Sequence, residues 1–87
     1  MNTAFLLLAE FGQADVPLET VAARYLGLSP AIAKRQAASA SLPFPAYRAG
    51  NQKSPWLVRI TDLATWLDRE RERGISDWRN RSPSHDL

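Results

Sequence analysis

The stretch from residue 17 to residue 40, PLETVAARYLGLSPAIAKRQAASA, contains two helical patterns separated by a glycine. In the first part apolar residues recur at i, i+3, i+4, i+7 and i+8, which predicts a helix over Pro17–Leu26 with one continuous apolar stripe. Gly27 suits the left-handed conformation in which many helices end. Ser29 is a good N-cap, and the proline after it is tolerated at a first helical position. A second helix is therefore expected over Ala31–Ala40.

About three residues around the glycine join these two helices, which is the spacing of a helix-turn-helix unit. Ala23 and Gly27 match the small residue and the turn glycine that are usual in such a unit, because a small side chain lets the second helix approach closely. Leu28 is expected to fill the core beneath the turn. The second helix offers Ile32 and Ala33 for packing, and this leaves its exact facing open.

A β-hairpin is predicted downstream of the two helices. The segment LPFPAYR at residues 42–48 cannot continue a helix, because each of its prolines pushes the preceding residue into an extended conformation. Strands are expected over Ala46–Ala49 and Trp56–Ile60, the second with alternating inward and outward side chains. The polar segment Gly50–Pro55 is expected to be the hairpin loop.

A short helix is expected before the helix-turn-helix unit, over Asn2–Phe11, with a buried strand as the alternative. Phe5, Leu8 and Ala9 repeat at helical spacing, and this apolar segment either completes the core or contacts another protein. The residues from Gln13 to Val16 are expected to form only a connection.

A last helix is predicted to start at a Thr61 cap and to end near Arg73, where Gly74 stops it. The fold class is thus α+β and mainly α: a small winged helix-turn-helix domain with a β-hairpin wing and an extra N-terminal helix. We expect the domain to span residues 1–74. Residues 75–87 are expected to be a partly flexible C-terminal extension, with one helical turn near Trp78 and a frayed end over Ser82–Leu87.

Charge is distributed unevenly along the chain, although the net charge is only +2. Residues 20–61 contain six Lys or Arg and no acid, whereas residues 1–19 contain three acids and no base. A block of one sign favours a polyanionic partner, and nucleic acid is the commonest in the cytoplasm. Chance clustering on a solvated face is the alternative.

The basic block covers the second helix and the hairpin, the two elements with which a winged domain contacts the major groove and the adjacent DNA backbone. Arg and Gln can read the edges of guanine and adenine, while Lys and a helix-start Ser can contact phosphate. Residues 34–36 span most of a helical turn, so not all of them can face one groove. The candidate DNA contacts are Arg24, Ser29, Lys34, Arg35, Gln36, Arg48, Asn51, Gln52, Lys53 and Ser54.

Composition argues against most other functions. The chain has no cysteine and a single histidine, His85, so thiol chemistry, a metal site or a histidine base has almost no support. We identify no nucleophile–base pair and no phosphate loop, and we expect no enzyme activity and no cofactor. The apolar run Ala4–Ala9 is too short for a membrane span and lacks the basic segment of a signal peptide, so a cytoplasmic protein is expected.

Three segments carry a family resemblance. MNTAFLLLAEFG at the start, LPFPAYR at residues 42–48 and QKSPWLVRITDLATWLD at residues 52–68 resemble the pyocin activator protein PrtN family. More broadly, LPFPAYRAG and LVRITDLATWL are similar to excisionase and MerR-type winged helix-turn-helix domains. The family resemblance implies a prophage-linked transcriptional activator that binds DNA upstream of phage-tail-like bacteriocin genes.

Three hypotheses follow for the partner. A promoter-binding activator needs double-stranded DNA and, for activation, RNA polymerase or remodelled promoter DNA. An excisionase-like architectural protein would use the same fold to bend DNA. A protein-interaction module would use the apolar N-terminus as its working surface, and the same segment is a candidate for homo-oligomer formation.

Overall fold

The computed structural model describes residues 2–81. The expected α+β, mainly helical fold with a winged-helix-like arrangement is confirmed. Helix α1 is followed by strand β1, helices α2 and α3, the hairpin strands β2 and β3, and helix α4. Their bounds are α1 Thr3–Phe11, β1 Asp15–Pro17, α2 with an α-helical part Leu18–Val21 and a π-helical part Ala22–Leu26, α3 Pro30–Ala38, β2 Tyr47–Arg48, β3 Trp56–Arg59 and α4 Ile60–Arg81.

Helix α1 forms where the sequence predicts it, and it packs onto the domain through Leu7. The Asn2 side chain caps it by accepting a hydrogen bond from the Phe5 amide at 2.7 Å, and Gly12 ends it with a φ of 73°. Phe5, Leu8 and Ala9, for which the sequence left open a core role or a protein contact, are all exposed, and Leu7 is the buried residue of the helix. Nearly every side chain of α1 is apolar, so the sequence contains no polar face that would orient it.

The sheet contains a strand that the sequence did not reveal. Its three strands are antiparallel in the order β1-β3-β2. Strand β1 lies in the segment expected to be a connection, and Val16 pairs with Val58 of β3. Both valines are almost fully buried, at 1% and 0% exposure. Strand β1 is only three residues long and depends on a partner more than forty positions away, so no local periodicity marks it.

The turn between α2 and α3 has the predicted residues but a different packing. Gly27 adopts the left-handed conformation with a φ of 65°, and Ser29 caps α3 by accepting from the Ile32 amide at 3.3 Å. The close-approach role expected for Ala23 is wrong, because Ala23 is exposed and its neighbour Ala22 is fully buried. The π-helical part of α2 holds an extra residue per turn, which rotates these positions relative to a regular helix.

Helix α3 docks onto the core through Ala33 and Ala37, while Ile32 is 40% exposed. This settles the facing that the sequence left open. The outer side of α3 therefore presents Lys34 and Arg35 to solvent.

Helix α4 is longer than predicted, and the prediction that it ends at Gly74 is wrong. It starts at Ile60, one residue before the expected cap, and continues to Arg81. A glycine inside a helix costs only about 0.5–1 kcal/mol relative to alanine. Arg73 forms ion pairs with Glu70 at 2.9 Å and with Asp77 at 3.4 Å; the first pair lies before the glycine and the second spans it. Residues 82–87, where a frayed end was expected, lie outside the described residues.

One apolar core joins the helices to the sheet. Phe44 and Trp66 meet edge to face with ring centroids 5.3 Å apart. Across residues 2–81 no polar or charged residue is buried as a whole. In the same part of the chain no helix is both long and apolar enough to cross a membrane. The buried residues are Leu7, Val16, Leu18, Val21, Ala22, Ala33, Ala37, Phe44, Val58, Ile60, Leu63 and Ala64.

Candidate nucleic-acid interface

A groove of about 360 Å³ lies between α3, the start of α2 and the hairpin loop. The structure brings five of the ten candidate residues together along its walls. Five further residues line it that were not among the candidates: Pro17, Leu18, Glu19, Pro55 and Trp56. The five candidates are Lys34, Arg48, Gln52, Lys53 and Ser54.

The hairpin loop is held by its own polar side chains. The Asn51 carboxamide oxygen accepts from the Lys53 amide at 2.8 Å, and the Ser54 hydroxyl accepts from the Asn51 amide at 3.3 Å. The Ser54 amide donates back to the Asn51 carbonyl at 3.0 Å. Gly50 has a φ of 124°, a backbone conformation that residues with a side chain rarely adopt. Asn51 and Ser54 therefore shape the loop that presents Lys53.

Arg48 braces the base of this loop. It pairs with Trp56 across the hairpin, and its guanidinium carbon lies 4.5 Å from the centre of the Trp56 ring. One terminal nitrogen donates to the Gln52 carbonyl at 2.7 Å. The Arg48 Nε and Trp56 Nε1 atoms are both buried without a hydrogen-bond partner among residues 2–81. Arg48 thus fixes the loop to the sheet as well as adding positive charge to the groove.

Half of the basic block is neutralised within the molecule. The three acids of residues 1–19 pair with three of its six cations. Glu10 pairs with Arg24, Asp15 with Arg59 at 2.5 Å, and Glu19 with Lys34 at 3.2 Å. The cations of the block that form no ion pair within the described part of the chain are Arg35, Arg48 and Lys53. The sequence separates these charges along the chain, so their pairing could not be read from charge counts.

Arg24 lies apart from the groove, against α1. Besides Glu10, its guanidinium contacts the rings of Phe11 and Tyr25, at 5.4 and 5.7 Å from their centres. These contacts support a role in joining α1 to α2. The DNA contact predicted for Arg24 remains a prediction.

Three further candidates lie on α3 or at its start: Ser29, Arg35 and Gln36. The Ser29 hydroxyl acts as its cap, and Arg35 is exposed. The Gln36 side chain is half-buried, and its carbonyl accepts from the Ser41 amide at 2.9 Å. None of these three residues lines the groove.

Asp15 connects all three strands on the sheet surface. Its Oδ1 accepts from the Tyr47 hydroxyl and from Arg59 Nε, each at 2.5 Å. The bond from Tyr47 and the one from Arg59 lower the pKa of Asp15 below its ordinary value. The same contacts raise the pKa of Arg59, so this pair stays ionised at neutral pH. It supports the sheet to which the wing is attached.

These features define a small winged-helix-like domain with a cationic groove between its third helix and its wing. In residues 2–81 no three His, Cys, Asp or Glu side chains come together as metal ligands would. The family model described as pyocin activator protein PrtN matches residues 3–74, and the chain belongs to that family. A pyocin activator is a regulatory protein rather than a catalyst. No curated protein and no solved structure matches the chain.

Proposed function

We propose that this protein is a sequence-specific DNA-binding activator of pyocin-like, prophage-linked bacteriocin genes. The observation that carries the proposal is the groove in which Lys34, Arg48 and Lys53 from two separate elements converge. Membership of the pyocin activator family supports the regulatory role. Helix α3 would enter the major groove, and the wing would contact the adjacent backbone or minor groove.

The partners of such an activator are promoter DNA and RNA polymerase, in the bacterial cytoplasm. The exposed side of α3 and the loop that presents Lys53 are the contacts proposed for DNA. Within them, Arg35 and Lys53 are cations with no acidic partner in the described part of the chain. They are therefore available to phosphate or base atoms without breaking an internal ion pair.

The test is fluorescence anisotropy with two labelled duplexes across a salt series. One duplex comes from upstream of the tail-like genes and the other is its scrambled sequence. We expect tight, salt-dependent binding with a preference for the upstream duplex. Equal binding with strong bending would favour the architectural alternative, and no binding by folded protein would refute the proposal.

The contact residues are tested by a triple substitution, Lys34→Ala, Arg35→Ala and Lys53→Ala. Each phosphate contact contributes about 0.9 to the slope of log affinity against log salt, so loss of three contacts would lower it by roughly 2.7. A residue that reads a base would instead relax the sequence preference at one position. Unchanged affinity of the folded triple variant would show that the assigned contacts are wrong.

The matched control removes the same number of positive charges from α4, by Arg69→Ala, Arg71→Ala and Arg79→Ala. These residues lie outside the groove and are exposed. We expect a much smaller change in slope for the control. An equal change would indicate a general effect of net charge.

A second function is favoured by the exposed apolar face of α1. Phe5, Leu6 and Leu8 are 56%, 53% and 44% exposed. Large exposed apolar side chains of this kind mark contacts with another protein, including a second copy of the same chain. A dimer formed there would let the protein read two half-sites. Sedimentation of the wild type and of Phe5→Ser tests this, and concentration-independent monomers of both would refute it.

A further inference from the structure

One acidic side chain lies inside the cationic groove. Glu19 lines the same walls as Lys34, Arg48 and Lys53, and the other residues around the groove are neutral. Its Oε1 atom is 3.2 Å from Lys34 Nζ. The two side chains are 53% and 56% exposed, so solvent reaches the pair.

A carboxylate oxygen at this position satisfies Lys34 in the way that a phosphate oxygen would. Both are anionic acceptors, and a lysine ammonium binds either as a compact point charge. Exposed ion pairs contribute little net stability, so a duplex can displace this one at small cost to the fold. A phosphate brought to Lys34 would nevertheless face the repulsion of the Glu19 carboxylate.

We propose that Glu19 is an intramolecular competitor that occupies Lys34 in the free protein and lowers its affinity for DNA. This inference rests on the proposed function, because it assumes that the groove takes a phosphate of duplex DNA. Glu19 thereby sets how strongly the groove binds any backbone, independently of base sequence. Non-specific binding, which depends almost entirely on phosphate contacts, is held down by this carboxylate.

The experiment is a salt series of anisotropy measurements with a short labelled duplex of mixed sequence, on the wild type and Glu19→Gln. Without the Glu19 carboxylate, Lys34 no longer has to leave an ion pair before it contacts a phosphate. We therefore expect Glu19→Gln to bind the duplex more tightly than the wild type at about 0.1 M salt, by up to about five-fold, the largest effect usual for an exposed ion pair. This gain should shrink as the salt concentration approaches about 1 M. The control, Glu70→Gln, makes the same charge change at the Arg73 ion pair on α4. We expect the control to change affinity far less.

A double-substitution cycle separates competition from a general charge effect. In a Lys34→Gln background the Glu19→Gln substitution should give little further gain in affinity. A gain of the same size in that background would overturn the proposal. So would weaker binding by Glu19→Gln, which would mean that the carboxylate itself contacts the DNA.

The outcomes also separate this inference from the proposed function. If folded wild-type protein binds no duplex at any salt concentration, the DNA-binding proposal fails and the role of Glu19 fails with it. If the wild type binds with a steep salt slope but Glu19→Gln binds identically, only the competitor role is refuted. Thermal unfolding followed by circular dichroism confirms that each variant is folded.

Discussion

Two adjacent leucines of α1 provide a sharp test of how that helix packs. Leu7 is 5% exposed, whereas Leu8 is 44% exposed. The same substitution, leucine to alanine, can be made at both positions of one helix. Its small effect on helix propensity is then shared by both variants and cancels in their comparison.

The expected difference follows from burial. Removing a buried leucine side chain costs about 2–5 kcal/mol, because the transfer free energy is lost and a cavity remains. A half-exposed leucine leaves no closed cavity, so Leu8→Ala should cost roughly 1 kcal/mol or less. A domain of this size is stable by roughly 4–13 kcal/mol in total. A loss of about 3 kcal/mol at Leu7 would lower Tm by about 12–24 °C.

The assay is urea unfolding followed by tryptophan fluorescence, at two protein concentrations. The two concentrations are needed because a dimer through the exposed face of α1 would make the apparent stability of Leu8→Ala depend on concentration. A cost at Leu8 equal to or larger than that at Leu7, independent of concentration, would show that α1 is rotated from the orientation described.

Two further predictions concern two glycines, Gly50 and Gly74, and the carboxylate of Asp15 in β1. Gly50→Ala should destabilise the protein by about 1–3 kcal/mol, since its φ is 124° and the new Cβ would lie 2.8 Å from Ser54 Oγ. In the control Gly74→Ala, the new Cβ has no atom within 4 Å. This variant should be more stable than the wild type by about 0.5–1 kcal/mol in urea unfolding, and a loss of stability would contradict a continuous α4. The pKa of Asp15 in the folded protein lies below its ordinary value of 3.8. The ionised carboxylate therefore contributes its full stabilisation above pH 3.8, and this contribution is lost as the pH falls through the pKa of the folded state. The stability difference between the wild type and Asp15→Asn, measured in urea at each pH, should therefore shrink below about pH 4, and a constant difference would show that the contacts of Asp15 do not depend on its charge.

Local sequence signals were sufficient to predict the elements that have a clear cap, turn residue or alternating pattern. The proline after Ser29, the left-handed glycine at Gly27 and the alternation of β3 each act within a few residues, and each predicted its element. Strand β1 depends on a distant partner, because it forms through the pairing of Val16 with Val58. Helix α4 was predicted too short for another reason. Gly74 was interpreted as a helix end, although the acids three residues before and four residues after Arg73 are a local signal that favours a continuous helix.

The candidate site was predictable in composition and not in arrangement. The sequence identified four basic residues on α3 and the wing, and three of them, Lys34, Arg48 and Lys53, line the groove. It could not show that Glu19 lies beside Lys34 or that Trp56 supports Arg48, because those contacts join elements that are distant along the chain. Residues 20–61 are a positive block along the chain, but three acids from residues 1–19 fold back and pair with half of its cations.

Helix α3 buries only small side chains, and this affects how easily it detaches from the rest of the domain. Its buried face consists of Ala33 and Ala37, and a buried methyl group contributes only about 0.8 kcal/mol. Helix α3 is thus held less firmly than the first part of α4, in which Leu63 is fully buried, and its local opening should require less free energy. A ligand that held α3 from its outer side would suppress this opening, so part of its binding free energy would be spent in ordering the helix that it contacts.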